Sequence, residues 1–321
     1  MEFEENIKPW VSFCMSTYKR PGLLKQQLDL ILKQQFKNFE IVISDNDPDS
    51  SAASVIKAIG DPRLKYFPNM TNIGMMKSFN KSIERSAADY VIMITDDDPV
   101  DDNMLSHFYE LMIKYPGFGI YVGCKRTAKE KYAVEVFDEE NFLFQILHPA
   151  LTSNLLWSSC LLSKDILLSI GGVPDYGSPH LADHAMMALC GNKNGGVMIN
   201  NMFSSLTAHD NNFSKSNLSL YYTACTEFYN LITNTVDKNR YIKDGQNALL
   251  KHLERWFLIS MFSLRKYFTY TDNKREVVSQ VRVVSQRILQ LNFMNYLRTK
   301  YKLKLLIFHL KRPLFALNIL R

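Results

Sequence analysis

Three consecutive carboxylates, Asp96, Asp97 and Asp98, follow an apolar run in the segment DYVIMITDDDPV. Adjacent anions repel one another, and the arrangement becomes useful when a divalent cation sits among them and bridges to a phosphate-bearing substrate. The alternative is a polar loop in which Asp98 caps the segment after Pro99. Val91, Ile92, Met93 and Ile94 read as a buried parallel strand. That reading puts the carboxylates at the strand's C-terminal end, where open α/β sheets bind ligands.

The elements around this strand follow one rhythm. WVSFCMS reads as a strand leading to Thr17, Tyr18, Lys19 and Arg20, and Pro21 opens a helix with Leu23, Leu24, Leu28, Ile31 and Leu32 on one face. FEIVIS is a second strand ending at Asp45, Asn46 and Asp47. SAASVIKAIG is a short helix closed by Gly60, and LKYF is a third strand. NIGMMKSFNKSIERSA is a helix feeding the aspartate-tipped strand, and NMLSHFYELMIKYPG is another, before the strand FGIYVG. Strands alternating with amphipathic helices predict an α/β fold with a mostly parallel central sheet covered on both faces. Polar residues then collect at one edge of that sheet.

Composition narrows the function. With 321 residues, 46% of them hydrophobic, the chain can bury an enzyme-sized core. Five scattered cysteines without a Cys-x-x-Cys pair suit free thiols in a reducing compartment and argue against a disulfide framework or a zinc site. The start, MEFEENIKPW, has no apolar leader, and no run reaches the length of a membrane span; the expectation is a cytoplasmic protein. Neither Gly-x-Gly-x-x-Gly nor Gly-x-x-x-x-Gly-Lys occurs, which disfavours dinucleotide oxidoreductases and P-loop ATPases.

The ordered series STYKRP, SDND, NIGMMKSFNKS, TDDD, SIGGVPDYG, LADHAMMALC and LTAHDNNFSKSN resembles the family 2 glycosyltransferases, inverting enzymes of the glycosyltransferase A fold. The resemblance covers roughly residues 8–217. It implies a nucleotide-sugar donor, UDP-linked, and a divalent metal, Mn²⁺ or Mg²⁺. It places Thr17, Tyr18 and Arg20 along the nucleotide pocket and has Asp45 accept a hydrogen bond from the base, although turn chemistry at Asp-Asn-Asp-Pro is the alternative for Asp45. Gly74 would let the backbone approach the nucleotide, and Lys77 would neutralise a phosphate or serve as a solvated helix face. Asp96 and Asp97 fall on the nucleotide side, and Asp98 and His209 on the metal, with Asp97 as the alternative should the register of the three aspartates differ.

The same resemblance makes Asp183, in PHLADHAMMALC, the base that takes the acceptor's proton, with His184 as the competing candidate and helix capping as the plain alternative. Trp157 in LLWSSC would stack on a sugar or simply pack. Ser214 and Lys215 are candidate contacts to the diphosphate from a closing loop.

A catalytic region over residues 1–217 and a helical, basic region over 218–321 are expected. From Lys274 to Arg321 there are eleven Lys or Arg and one acid, Glu276. The end, YLRTKYKLKLLIFHLKRPLFALNILR, has the character of a segment lying in the headgroups of an anionic membrane, against the alternative of a packed helix with a basic outer face. A lipid-linked saccharide acceptor follows by analogy, and nucleic acid is not expected. A non-catalytic protein of the same fold and a sugar nucleotidyltransferase are the competing functions. The latter should show a glycine-rich nucleotide signature, and none is visible.

Overall fold

The apolar runs near the N-terminus pair side by side in one half of an eight-stranded sheet. A computed structural model describes residues 8–126, 129–207, 215–235, 246–272 and 274–311. The strands are β1 (Val11–Thr17), β2 (Phe39–Asp45), β3 (Leu64–Pro68), β4 (Tyr90–Ile94), β5 (Ile120–Cys124), β6 (Val134–Phe137), β7 (Cys160–Ser163) and β8 (Gly196–Asn200). Their order is β3-β2-β1-β4-β7-β5-β8-β6. β1 and β2 are buried along their whole lengths, the condition that lets a strand be apolar on both faces.

The sheet is mostly parallel, as expected, but mixed. β7 lies antiparallel between β4 and β5, and β6 lies antiparallel against β8 at the edge. In register, Thr17 of β1 stands opposite Asp45 of β2, and Met15 opposite Ile94 of β4. Three polar-tipped strands therefore end at one level.

Helices α1 (Pro21–Ile31), α2 (Ala53–Ile59), α3 (Met75–Arg85), α4 (Met104–Lys114), α5 (Glu139–Ile146), α6 (Lys164–Ser169) and α7 (Ala182–Asn194) accompany the sheet. Pro21 occupies the first turn of α1, where its missing N–H costs nothing, and α1 buries Leu24, Gln27, Leu28 and Ile31. Gly60 closes α2 at φ 64°, in the left-handed region. All five cysteines are buried and free.

One packing detail fixes α5, which the sequence reading did not anticipate. Phe142 is fully buried in a slot that two glycines create: a Cβ on Gly191 of α7 would fall 1.9 Å from its ring, and one on Gly196 of β8 2.2 Å. Phe142→Ala should destabilise the protein by about 3–5 kcal/mol in urea unfolding, because the glycine walls have no side chains with which to fill the void. A loss below about 1 kcal/mol would show that the slot collapses.

The chain divides into two compact units, one of Met1–Ile146, Asn154–Asp175 and Ala182–Ala208, the other of Leu147–Ser153, Tyr176–Leu181 and His209–Arg321. The second holds α8 (Leu220–Thr235), α9 (Gln246–Tyr270), α10 (Arg275–Ile288) and α11 (Arg298–Leu310). Leu249, Leu253, Phe257, Met261, Leu264 and Phe268 form the buried stripe of α9 at helical spacing. Tyr301 and Phe308 dock α11 on this unit, Tyr301 lying 5.5 Å from both Phe257 and Phe262 and Phe308 5.8 Å from Phe262 between ring centroids. Among the described residues no helix is long and apolar enough to cross a membrane.

Candidate active site

Asp96 leaves the end of β4 fully buried and is met there by two donors from the first strand and its loop. Thr17 Oγ1 donates to its Oδ2 at 2.8 Å, and Arg20 Nη2 approaches its Oδ1 at 2.5 Å. Arg20 is the residue before Pro21, so helix α1 starts where its side chain can also hold Asp97, Nη1 to Oδ2 at 3.0 Å. Burial pushes the Asp96 carboxyl up to about 6, against the opposing pull of Arg20 and Thr17. One guanidinium thus organises two of the three carboxylates.

The third is held differently. Asp98 is 6% exposed, and its backbone carbonyl accepts from Gln27 Nε2 of α1 at 2.7 Å. Gln34 secures the same loop further on, donating to the carbonyl of Asp101 at 2.6 Å and accepting from the Leu105 amide at 3.1 Å. On its other side the loop is zipped to the chain after β8: Asp101 N–H donates to Phe203 O at 2.8 Å and Ser205 N–H to Pro99 O at 3.1 Å. That pairing brings the Thr207 amide to the Asp98 carboxylate. Asp98 caps no helix, since α4 starts at Met104 with Asn103 before it.

Asp98 also lies in the electrostatic field of Asp183, which opens α7 in the same unit. Burial first, then the charges of Asp97 and Asp183, hold the Asp98 carboxyl up at about 6 against the opposing pull of the Thr207 amide. Asp183 keeps 29% of its side chain exposed and lies 3.9 Å from His184 Nε2, while His184 is buried. The fold therefore gathers Asp96, Asp97, Asp98 and Asp183, which the sequence separates by more than eighty residues, around the end of β4.

The loop after β2 forms the other wall. Asp45 is fully buried, and both its oxygens are engaged: Oδ1 accepts from the Asp47 amide at 3.0 Å, and Oδ2 from the Ala52 amide at 3.3 Å and the Tyr66 hydroxyl at 2.8 Å. In this structure its contacts are those of turn chemistry. Asn46, which the sequence reading passed over, links this loop to the start of α3: it donates to Asn72 Oδ1 at 2.7 Å and accepts from the Ile73 amide at 2.9 Å. Asn72 Oδ1 also accepts from Gly74 N–H at 3.0 Å. Gly74 itself sits at φ 87°, a conformation that an L side chain resists. Beneath the strand ends, Ser78 of α3 accepts from Ser16 at 2.8 Å and donates to Ser44 at 3.0 Å. The signal for these residues was present as small polar side chains at the ends of apolar strands, flanking Asn-x-Gly.

The remaining candidates fall as follows. Tyr18 is 42% exposed, with Lys19 over its ring, and Lys77 is exposed on α3. Trp157 is 9% exposed and packs edge-on against Phe79, with centroids 4.6 Å apart. Gly171 and Gly172 adopt φ 90° and 80°, and Asn80 of α3 clasps the next residue by donating to Val173 O at 2.9 Å and accepting from Val173 N–H at 2.8 Å. Lys215 belongs to the second unit and lies over the Tyr267 ring at 3.9 Å. His209 and Ser214 lie outside the described residues.

Residues 12–155 match the model of Glycosyl transferase family 2. That stretch is similar to a family 2 glycosyl transferase domain. Over 101 residues it is 30% identical to the GalNAc(5)-diNAcBac-PP-undecaprenol beta-1,3-glucosyltransferase of Campylobacter jejuni, a match covering 30% of this chain and 33% of that protein. The chain spans about a third of the length of the curated relatives it matches first. Among solved structures, S. aureus TarS 1–349 aligns with a TM-score of 0.59 at 14% identity, covering 92% of this chain and 91% of that one. The mannosyltransferase PcManGT of Pyrobaculum calidifontis, solved with GDP-Man and Mn²⁺, aligns with a TM-score of 0.58 at 15% identity over 97% of this chain and 85% of that one. At these identities the two structures speak to fold alone, and the fold of this chain is the glycosyltransferase A fold.

Proposed function

We propose that this chain is a metal-dependent, inverting glycosyltransferase that moves a sugar from a UDP-linked donor to a saccharide or lipid-linked saccharide acceptor in glycan biosynthesis. The observation that carries the reading is the set of carboxylates at the end of β4, Asp96 and Asp97 held by Arg20 and Asp98 buried beside them, with Asp183 of the same unit in the electrostatic field of Asp98. Of the last two, Asp98 is buried, and Asp183, at a helix start, is partly open to solvent. Inversion needs that division, a site for the departing diphosphate and a base on the other side of the anomeric carbon.

The carboxylate oxygens of Asp97 and Asp98 are donors that suit a hard divalent cation. Asp98 pays a desolvation penalty beside two further anions, and a cation would reverse that penalty. Among the described residues no group of three or more His, Cys, Asp or Glu is assembled around a metal position, and His209, the other expected ligand, lies outside them. Asp98, with Asp97 beside it, would hold the ion, and the ion would neutralise charge on the leaving diphosphate. Thr17 and Arg20 keep Asp96 and Asp97 oriented. Asp183 accepts the acceptor hydroxyl's proton as its oxygen bonds to the anomeric carbon and the bond to the nucleotide breaks.

A nucleotide-sugar donor is further supported by TarS, solved with UDP and with UDP-GlcNAc, and by PcManGT with GDP-Man. The Campylobacter relative's name supports a lipid-linked acceptor. The reading is tested by titrating a panel of nucleotide sugars with Mn²⁺ and following protein fluorescence or heat. A UDP-sugar should bind, and no binding by any donor would contradict the proposal.

Peripheral attachment to the cytoplasmic membrane face is part of the reading, and α11 supports it. Leu303, Leu306, Ile307 and Leu310, spaced i, i+3, i+4 and i+7, are 58, 56, 42 and 70% exposed, opposite the face that buries Tyr301 and Phe308. The cationic tail of the sequence continues past this helix, its residues 312–321 lying outside those described. Leu306→Glu, at an exposed position, should weaken cosedimentation with anionic vesicles by roughly tenfold while leaving thermal stability unchanged. Equal binding by the variant would assign the helix to packing alone.

A further inference from the structure

The second unit holds a cavity of about 880 Å³ whose wall carries Arg265 of α9, Arg275 and Arg282 of α10, and Arg298, Lys302 and His309 of α11. Among the described residues no carboxylate lines it. A volume of that size is typical of ligand pockets. Among the described residues no acid pairs with Arg275, Arg282, Arg298 or Lys302, and the neighbouring acids Asp272 and Glu254 are taken by Lys274 and Lys300.

Arg265 gives the wall a buried anchor. It is 6% exposed, its Nη2 donates to the Tyr301 hydroxyl at 3.2 Å, and its Nε has no acceptor. A buried guanidinium N–H without an acceptor is costly, and like-charged neighbours on the rim add to that cost. A phosphate group answers both: its oxygens match the guanidinium fork, and its charge offsets several cations at once.

We propose that this cavity between α9, α10 and α11 is a binding site for a phosphate-bearing anion, separate from the carboxylate site at the end of β4. The same chemistry is presented by a soluble phosphate compound and by a lipid headgroup, and the test separates the two sources.

The full chain is titrated with inorganic pyrophosphate without divalent metal, by calorimetry, and in parallel is cosedimented with phosphatidylglycerol or phosphatidylcholine vesicles. The variants are Arg275→Glu/Arg282→Glu, at exposed positions; Arg265→Met, which removes the anchor; and Lys304→Glu, which changes charge on α11 outside the cavity. Pyrophosphate binding weakened at least tenfold by the double variant and by Arg265→Met, but not by Lys304→Glu, supports the site and a soluble phosphate. If Arg265→Met does not fold, the double variant against Lys304→Glu decides. Binding to phosphatidylglycerol vesicles alone, with the same variant pattern, supports a headgroup. Absence of both, or equal effects of Lys304→Glu and the double variant, overturns the proposal.

Discussion

Asp183→Asn should transfer sugar at roughly a hundredth of the native rate or less, a barrier increase of about 2.7 kcal/mol, while its affinity for the donor stays within about twofold. The amide keeps the size and hydrogen-bonding reach of the carboxylate and loses only its proton affinity, so an effect confined to turnover identifies a base. Position makes Asp183 the candidate. It opens α7 with its side chain 29% exposed, close enough to Asp98 for their charges to interact. Measured as nucleotide release with saturating donor and acceptor, a native rate in Asp183→Asn would move the role to His184, whose Nε2 is 3.9 Å from Asp183.

Asp98→Asn should fail in the opposite way. Metal-dependent donor binding should weaken by tenfold or more before any effect on the chemical step is seen, and excess chelator should reproduce this in the native protein, with Mn²⁺ restoring activity. The variant retains the backbone contacts that hold the loop, because Gln27 bonds to the Asp98 carbonyl and not to its side chain. A fall in donor affinity is therefore a loss of charge at the site, not of loop structure. Full activity in chelator with no residual metal would remove the metal from the mechanism.

Much of this site could be read from residue order, because strand ends are local: DYVIMITDDD and FEIVISD contain both the apolar run and the polar tip. The same holds for helices with strong apolar faces such as α1 and α3. Elements whose stability is tertiary were illegible. β7 has four residues following a single 3-10 turn, and it becomes a strand only because β4 and β5 flank it. α5 depends on a slot made by Gly191 and Gly196, some fifty residues away in sequence. Side-chain allegiance was equally hidden. An Asp at a strand end can face a ligand or its own loop, and the amides of Asp47 and Ala52 with the Tyr66 hydroxyl surround Asp45. Trp157 likewise packs on Phe79, a partner on α3 that no local pattern indicates. The approach of the Thr207 amide to Asp98 is set by the pairing of residues 99–101 with 203–205, which is visible only in the folded chain.

The central claim is tested most directly by incubating the purified chain with Mn²⁺, a panel of UDP-sugars and saccharide or lipid-linked acceptors, and determining by NMR the anomeric configuration of any product. The account predicts acceptor-dependent release of UDP and a product whose anomeric configuration is opposite to that of the donor. Release with retained configuration, or a folded protein that transfers no sugar from any donor, would contradict it.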